Sequence, residues 1–216
     1  MSNRRISRTN RSVDTPTAIL DTARNLFLQF GLRRTSMEDI AAAMGKRKSF
    51  LYYYFPGKAE VLRAVAEREF EQMAAAIRMA VERETKAEDR LRAYMRERAV
   101  QLMERIESVR RLHSTFTSSE DLVEFLQVND FRRTFDTRER VFLKEIMQSG
   151  VAHGQFRFLS DADIDSFCAF SLSSLRGSEL DLMLDPVDLE HYDTRSVAMV
   201  DLLLDGLRPR GGGDHS

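Results

Sequence analysis

The chain is expected to fold as an all-α protein of about nine helices, and three observations carry that expectation. Of its 216 residues only 4 are proline and 10 glycine, and the abundant alanine, leucine, glutamate and arginine are strong helix formers. Apolar residues recur in three- or four-residue steps along most of the chain, with no period-two alternation of a half-buried strand. The strongest breakers, Gly31, Gly45 and Pro56-Gly57, fall where that periodicity stops.

The elements follow in order. Residues 1–13 are polar and arginine-rich and read as a flexible basic arm. Ile19, Ala23, Phe27 and Phe30 stand at helical spacing in a first helix over 17–30, which Gly31 ends. Thr35-Ser36-Met37-Glu38 reads as a capping box, with Thr35 as N-cap and Glu38 at the third helical position, opening a short second helix that stops at Gly45. A third helix is expected over Lys48–Phe55. A long fourth begins at Lys58 and carries Leu62, Val65, Phe70, Met73, Ile77 and Val81. A fifth covers Glu88–Glu107, one or two shorter helices 108–128, a seventh Asn129–Gly150, an eighth Asp161–Leu184 and a ninth Thr194–Leu207. Residues 209–216 form a flexible tail.

The bulk properties narrow the class. One cysteine, Cys168, excludes an intramolecular disulfide and fits a reducing compartment. No apolar run reaches the roughly 20 residues of a membrane span, and the basic N-terminus is followed by no apolar stretch, so it does not read as a signal peptide. No membrane association and a cytoplasmic location are expected. The net charge of −1 hides an asymmetry. Residues 1–58 hold 11 Lys/Arg against 4 Asp/Glu, a surplus of +7, and the remainder carries −8. A basic quarter on an acidic body suggests a localised polyanion contact, with a solvated basic face as the plain alternative.

The second and third helices meet across Gly45 with little chain between them, the geometry of a helix-turn-helix. Glycine supplies the positive φ such a turn needs. Ala41 keeps the crossing close, and Ile40, Met44 and Leu51 supply the small core. Three tyrosines, Tyr52-Tyr53-Tyr54, follow at about 100° per step, so they cannot all face one core. With Leu51 and Phe55 turned inward they fan around the outside, where a phenol hydroxyl can reach a phosphate oxygen. Arg47, Lys48, Ser49 and Phe50 would point into a major groove, the two bases toward guanine acceptors and Phe50 toward a thymine methyl.

Residues Thr35, Met37-Glu38-Asp39-Ile40-Ala41, Gly45 and Leu51 through Lys58, preceded by Ala23-Arg24-Asn25-Leu26-Phe27 and Phe30-Gly31, resemble the DNA-binding domain of TetR-family transcriptional regulators. The resemblance covers about residues 17–65. It departs from the family at Lys46 and Arg47, where a small hydrophobe and a hydroxyl are usual, at Tyr54, often histidine, and at Ser49. It implies DNA contacts from Thr35, Ser36, Arg47, Lys48, Ser49, Tyr52, Tyr53, Tyr54 and Lys58, the last at a phosphate. It further implies a helix-turn-helix domain over 14–60 and a larger helical domain over 61–208 that dimerises and binds an effector.

The residues lend that body modest support of their own. Phe167, Phe170, Leu172, Leu175 and Leu182, then Val197, Val200, Leu203, Leu204 and Leu207, lie on more than one side of the last two helices, so two faces need burying. Phe70, Met73, Met95, Met103, Phe116, Phe142, Met147 and Phe167 are candidates to line an adaptable apolar pocket, with core as the plain alternative. Tyr94 and His113 are candidate polar anchors, while Glu97 and Arg98 are expected to be solvated. No phosphate loop, zinc spacing or nucleophile elbow occurs, the histidines are scattered, and Cys168 reads as a core thiol. No enzyme activity, cofactor or metal is therefore expected. The expected function is a ligand-responsive regulator, most simply a repressor, that binds a palindromic double-stranded DNA operator as a homodimer and is released by a small apolar effector. Two alternatives stand: a DNA-binding regulator gated by a protein partner with no pocket, and a helical adaptor whose basic domain meets a surface other than DNA.

Overall fold

The computed structural model describes residues 15–113, 119–184 and 189–209; the side chains of 107–113, 119–132, 180–184, 189–191, 193 and 197 lie outside that description. Among the described residues the only regular secondary structure is helix, with no strand. They form eight helices: α1 (Thr15–Phe30), α2 (Met37–Ala43), α3 (Lys48–Tyr54), α4 (Lys58–Glu82), α5 (Ala87–His113), α6 (Ser119–Ala152), α7 (Asp161–Leu184) and α8 (Leu189–Leu207). The count is one below expectation because α6 runs unbroken for 34 residues. Asn129 has low but tolerable helix propensity, so the expected break there does not occur. Helix α3 also stops one residue short of expectation, with Phe55 as an extended C-cap. The expected basic arm over 1–13 and residues 210–216 of the expected tail lie outside the described residues.

The chain divides into two compact units, one ending at Val65 and one beginning at Ala66. The core of the first unit is built from Ile19, Leu20, Ala23 and Phe27 of α1, Leu32, Met37, Ile40 and Ala41, Leu51, and Val61, Leu62 and Val65 of α4, all buried. Phe30, expected on the inner face of α1, is half exposed instead, and Leu20 is buried beside Ile19 near the other end of the helix.

The opening of α2 differs from expectation in register. Ser36 is the N-cap: its hydroxyl accepts from the Asp39 amide at 3.2 Å, and the Asp39 carboxylate accepts from the Ser36 amide at 2.8 Å. The reciprocal pair is thus Ser36–Asp39, not Thr35–Glu38. Thr35 is buried, its hydroxyl donating to the Gly31 carbonyl at 2.9 Å with the Leu26 carbonyl at 3.3 Å. The hydrogen bonds from Ser36 hold the Asp39 pKa below the ordinary carboxylate value.

In the second unit α5 packs against α6, α7 and α8, and α6 packs against α7. The core there takes Ile77 and Val81 of α4, Leu91, Tyr94 and Met95 of α5, Leu143, Ile146 and Met147 of α6, Cys168 and Leu172 of α7, and Val200, Leu204 and Leu207 of α8. Gly154, at φ 66°, closes α6: the Gly154 amide donates to the Val151 carbonyl (3.1 Å) and the Gln155 amide to that of Gly150 (2.9 Å). The chain then turns back so that Phe156 is buried against Gly150. Ser160 and Asp163 form a reciprocal capping box at the start of α7.

Candidate functional site

The first candidate surface is built by the turn between α2 and α3. Gly45 has φ 64°. Its amide donates to the Ala42 carbonyl (2.9 Å) and that of Lys46 to Ala41 (2.8 Å), so the last carbonyls of α2 are satisfied by a left-handed cap. Ile40, Ala41 and Leu51 are almost fully buried and pin α3 against α2; Met44 is half-buried. Leu51 is the only buried residue of α3, and Lys48, Ser49, Tyr52 and Tyr53 are exposed.

This resolves the three tyrosines. Tyr54 is half-buried and holds two edge-on contacts, to Phe50 (centroids 5.3 Å) and Tyr53 (5.0 Å). Tyr52 and Tyr53 are exposed, 43% and 83%. Arg47, Lys48 and Ser49 are exposed as well. Phe50, expected to reach outward, is half-buried against Tyr54 with the Lys46 ammonium 5.3 Å above its ring. Lys48 is less available than expected: Glu38 of α2 pairs with it, and its ammonium stands 5.3 Å from the Tyr52 ring. The Glu38 hydrogen bond holds the Lys48 pKa above its ordinary value. Lys58 donates to the Leu32 carbonyl at 3.1 Å, which ties the start of α4 to the segment after α1. Ser36 spends its hydroxyl on the α2 cap, and Thr35 is in the core. Burial removes Thr35 from the exposed contact set.

The second candidate is a cleft of about 260 Å³ in the second unit, lined by Phe70, Glu71, Ala74, Ala75, Ile77 and Arg78 of α4, Tyr94 of α5, and Phe135, Arg138, Glu139 and Phe142 of α6. Of the expected pocket residues, Phe70, Tyr94 and Phe142 line it. Met73, Met95 and Met147 belong to the core, with Phe167 half-buried against it; Met95 and Phe167 line a second cavity of only about 10 Å³ with Leu91, Leu143 and Leu203. Met103 is half-buried and absent from the lining. The His113 side chain and Phe116 lie outside the described residues. Phe135, tilted against Phe70 at 4.9 Å, and Glu139 are wall residues that sequence reasoning missed.

Behind the cleft lies a polar cluster that contradicts the expectation for Arg98. Arg98 is 3% exposed. Its Nη1 donates to Glu179 Oε1 at 2.7 Å, and its Nε lies 3.0 Å from Glu139 Oε1. Tyr94 donates its hydroxyl to the same Glu139 oxygen at 2.7 Å. The cause is helical phase: Arg98 stands four residues after Tyr94 and seven after Leu91, on the buried stripe of α5, and a charge carried inward must be paired. Burial alone would lower the guanidinium pKa, but Glu139 and Glu179 outweigh it and the pKa is raised. Burial raises the Glu139 pKa in turn, against the pull of Arg98.

On the solvent side of the last helices, Phe170 of α7 and Met199 and Leu202 of α8 are exposed, 73%, 56% and 70%, while Leu172, Leu175, Val200, Leu204 and Leu207 are buried. Leu203 is half-buried, and the side chains of Leu182 and Val197 lie outside the described ones. Among the described residues no group of three or more His, Cys, Asp or Glu is placed to hold a metal, and no helix is long and apolar enough to cross a membrane.

Residues 19–65 match the model of the family described as bacterial regulatory proteins, tetR family. Along most of its length the chain is similar to solved structures. A transcriptional regulator from Cytophaga hutchinsonii is 22% identical, with 90% of this chain and 99% of that one covered and a TM-score of 0.68. The fatty acid degradation regulator FadR from Bacillus halodurans is 19% identical over 91% and 98%, with a TM-score of 0.62. AibR, in complex with isovaleryl coenzyme A and operator DNA, is 23% identical over 85% and 96%, with a TM-score of 0.56. Identities this low establish the fold. No curated protein matches the chain.

Proposed function

We propose that the chain is a TetR-family transcriptional regulator, a reading supported by the match of residues 19–65 and by the fold, and that it represses transcription by binding a palindromic DNA operator as a homodimer and leaves it when a small, largely apolar effector occupies the cleft of the second unit. One observation carries the DNA-binding part: Gly45 and Leu51 fix α3 so that Arg47, Lys48, Ser49, Tyr52 and Tyr53 all stand on its exposed side. Those are residue types that contact phosphates and base edges. Phe50 and Tyr54 brace the reading surface, and Ser36 and Lys58 flank it.

The dimer reading is supported by Phe170, Met199 and Leu202, large apolar side chains exposed on α7 and α8 whose other faces are already in the core. Two copies of the reading head held by such an interface would meet half-sites about one helical turn apart, or a multiple of it. The effector reading is supported by the cleft and its aromatic walls and by the company the fold keeps, since AibR is seen with both isovaleryl coenzyme A and operator DNA. An effector can shift the DNA-bound population only as far as its affinity differs between the two conformations.

The experiment is selection of genomic fragments by the purified protein, followed by footprinting on the retained sequence. A protected inverted repeat is expected. Retention of fragments with no common sequence would refute the operator reading, and retention of none would favour the adaptor alternative.

A further inference from the structure

We propose that the effector of this cleft carries a cationic nitrogen, as in a small lipophilic amine, and that Glu139 is the residue that recognises it. The inference rests on the reading of the cleft as an effector site and adds the chemical class. It starts from one atom. Both polar contacts on Glu139 fall on a single oxygen: the Tyr94 hydroxyl donates to Oε1 at 2.7 Å, and the Arg98 Nε is ion-paired 3.0 Å from the same Oε1. Glu139 Oε2 is buried and has no hydrogen-bond partner. A buried acceptor left unpaired is costly and uncommon in a native fold. Arg98 does not supply the missing bond in this structure: its Nη1 donates to Glu179 at 2.7 Å, and its Nε, though close to Oε1, makes no hydrogen bond.

The unpaired oxygen belongs to a residue that lines the cleft. Around it stand Phe70, Phe135 and Phe142, whose ring faces attract cations. The cleft already shows that preference at its rim, where the Arg78 guanidinium lies 4.6 Å from the centre of the Phe142 ring. The one other carboxylate of the lining, Glu71, is occupied by Arg138 at 2.7 Å. An ammonium donates and never accepts, so it complements Oε2. A carboxylate headgroup would meet the Glu139 charge, and an alcohol would supply a single neutral hydrogen bond. A volume of about 260 Å³ lies just below the usual range for drug-sized ligands, about 300–1,000 Å³, so the occupant is small. Oε2 is shielded from water by its neighbours, so the ligand reaches it by displacing them.

The test is calorimetric titration of the full-length protein with three probes of one chain length: n-octylamine, n-octanol and octanoate. Octylamine should bind at least about tenfold more tightly than octanol, the scale of a hydrogen bond to a charged group, with octanoate weakest. Glu139→Gln keeps the shape and removes the charge. It should bring octylamine down to the affinity of octanol while leaving octanol within about twofold. Thermal unfolding checks that the variant folds; should it not, the amine-to-alcohol ratio of the unaltered protein decides alone. Equal or tighter binding of octanol, failure of all three probes to bind, or an amine preference that survives in folded Glu139→Gln would each overturn the proposal. Release of the selected operator by octanol or octanoate but not by octylamine would leave the effector reading standing and sink the amine. Failure to bind any operator would sink the regulator reading without altering the calorimetric result.

Discussion

Lys48, the first residue of α3, is ion-paired with Glu38 of α2, each side chain about half exposed. The pair holds a cation at the reading surface but also masks it. Replacing Glu38 by Gln should strengthen binding to any duplex and steepen the dependence of log affinity on log salt by about one unit, the signature of one more phosphate contact. Thermal stability should barely move, since exposed pairs contribute little. The double variant with Lys48→Ala isolates the effect: an equal gain with Lys48 absent would assign it to the lost Glu38 charge alone.

Gly45 tests the turn itself. No atom lies within 4 Å of the position a Cβ would take, so any cost of substitution comes from the φ of 64°. Gly45→Ala should lose roughly 1–2 kcal/mol of first-unit stability, the price of a left-handed L-residue, and Gly45→Val more because it is β-branched. DNA binding should fall in the same order while the second unit keeps its unfolding transition. Unaltered DNA affinity in Gly45→Val would contradict the turn described here.

Gly150 poses the opposite case. A Cβ there would fall 2.2 Å from Cδ2 of Phe156 and 2.9 Å from the Ala87 Cβ. Gly150→Ala should therefore destabilise the second unit by about 1–3 kcal/mol through overpacking, despite the better helix propensity of alanine. A raised urea midpoint would show that the ring moves aside freely.

Much of the first unit was legible in the sequence because its determinants are local. Gly45, Ala41, Ile40 and Leu51 lie within one short stretch, and their spacing alone implies the crossing. The cap was not legible, because Thr35 and Ser36 are adjacent hydroxyls with acids three residues on in both registers. Only the burial of Thr35 selects Ser36. The second unit was harder for the same reason in reverse. Arg98 meets Glu179 across 81 positions, and nothing near it in the chain announces a partner. Met73, Met95 and Met147 became core while Phe135 and Glu139 became cleft wall, a distinction set by how α4, α5 and α6 are spaced and not by residue type.

Cys168 offers a check on the packing of the second unit. It is fully buried, and burial pushes its thiol pKa up to about 11, so on the order of one in a thousand would be thiolate at pH 8. Labelling by a thiol reagent at pH 8 should be slow in the native protein and complete once it is unfolded in denaturant. Rapid native labelling would mean that α7 is not packed as described.

If α3 reads a DNA sequence, Arg47 is the residue whose loss shows it most directly. Arg47 presents a planar fork suited to two guanine acceptors, whereas Lys48 is a point charge already shared with Glu38. The decisive measurement is the affinity of the unaltered protein and of Arg47→Ala for the selected operator, its single-base variants and a scrambled duplex, at two salt concentrations. The unaltered protein should prefer the operator over the scrambled duplex at both. Arg47→Ala should lose about 1–3 kcal/mol on the operator and relax one base position in each half-site. Equal affinity of the unaltered protein for operator and scrambled DNA would contradict sequence reading by α3, and uniform weakening by Arg47→Ala with every base preference intact would move Arg47 from base reading to phosphate binding.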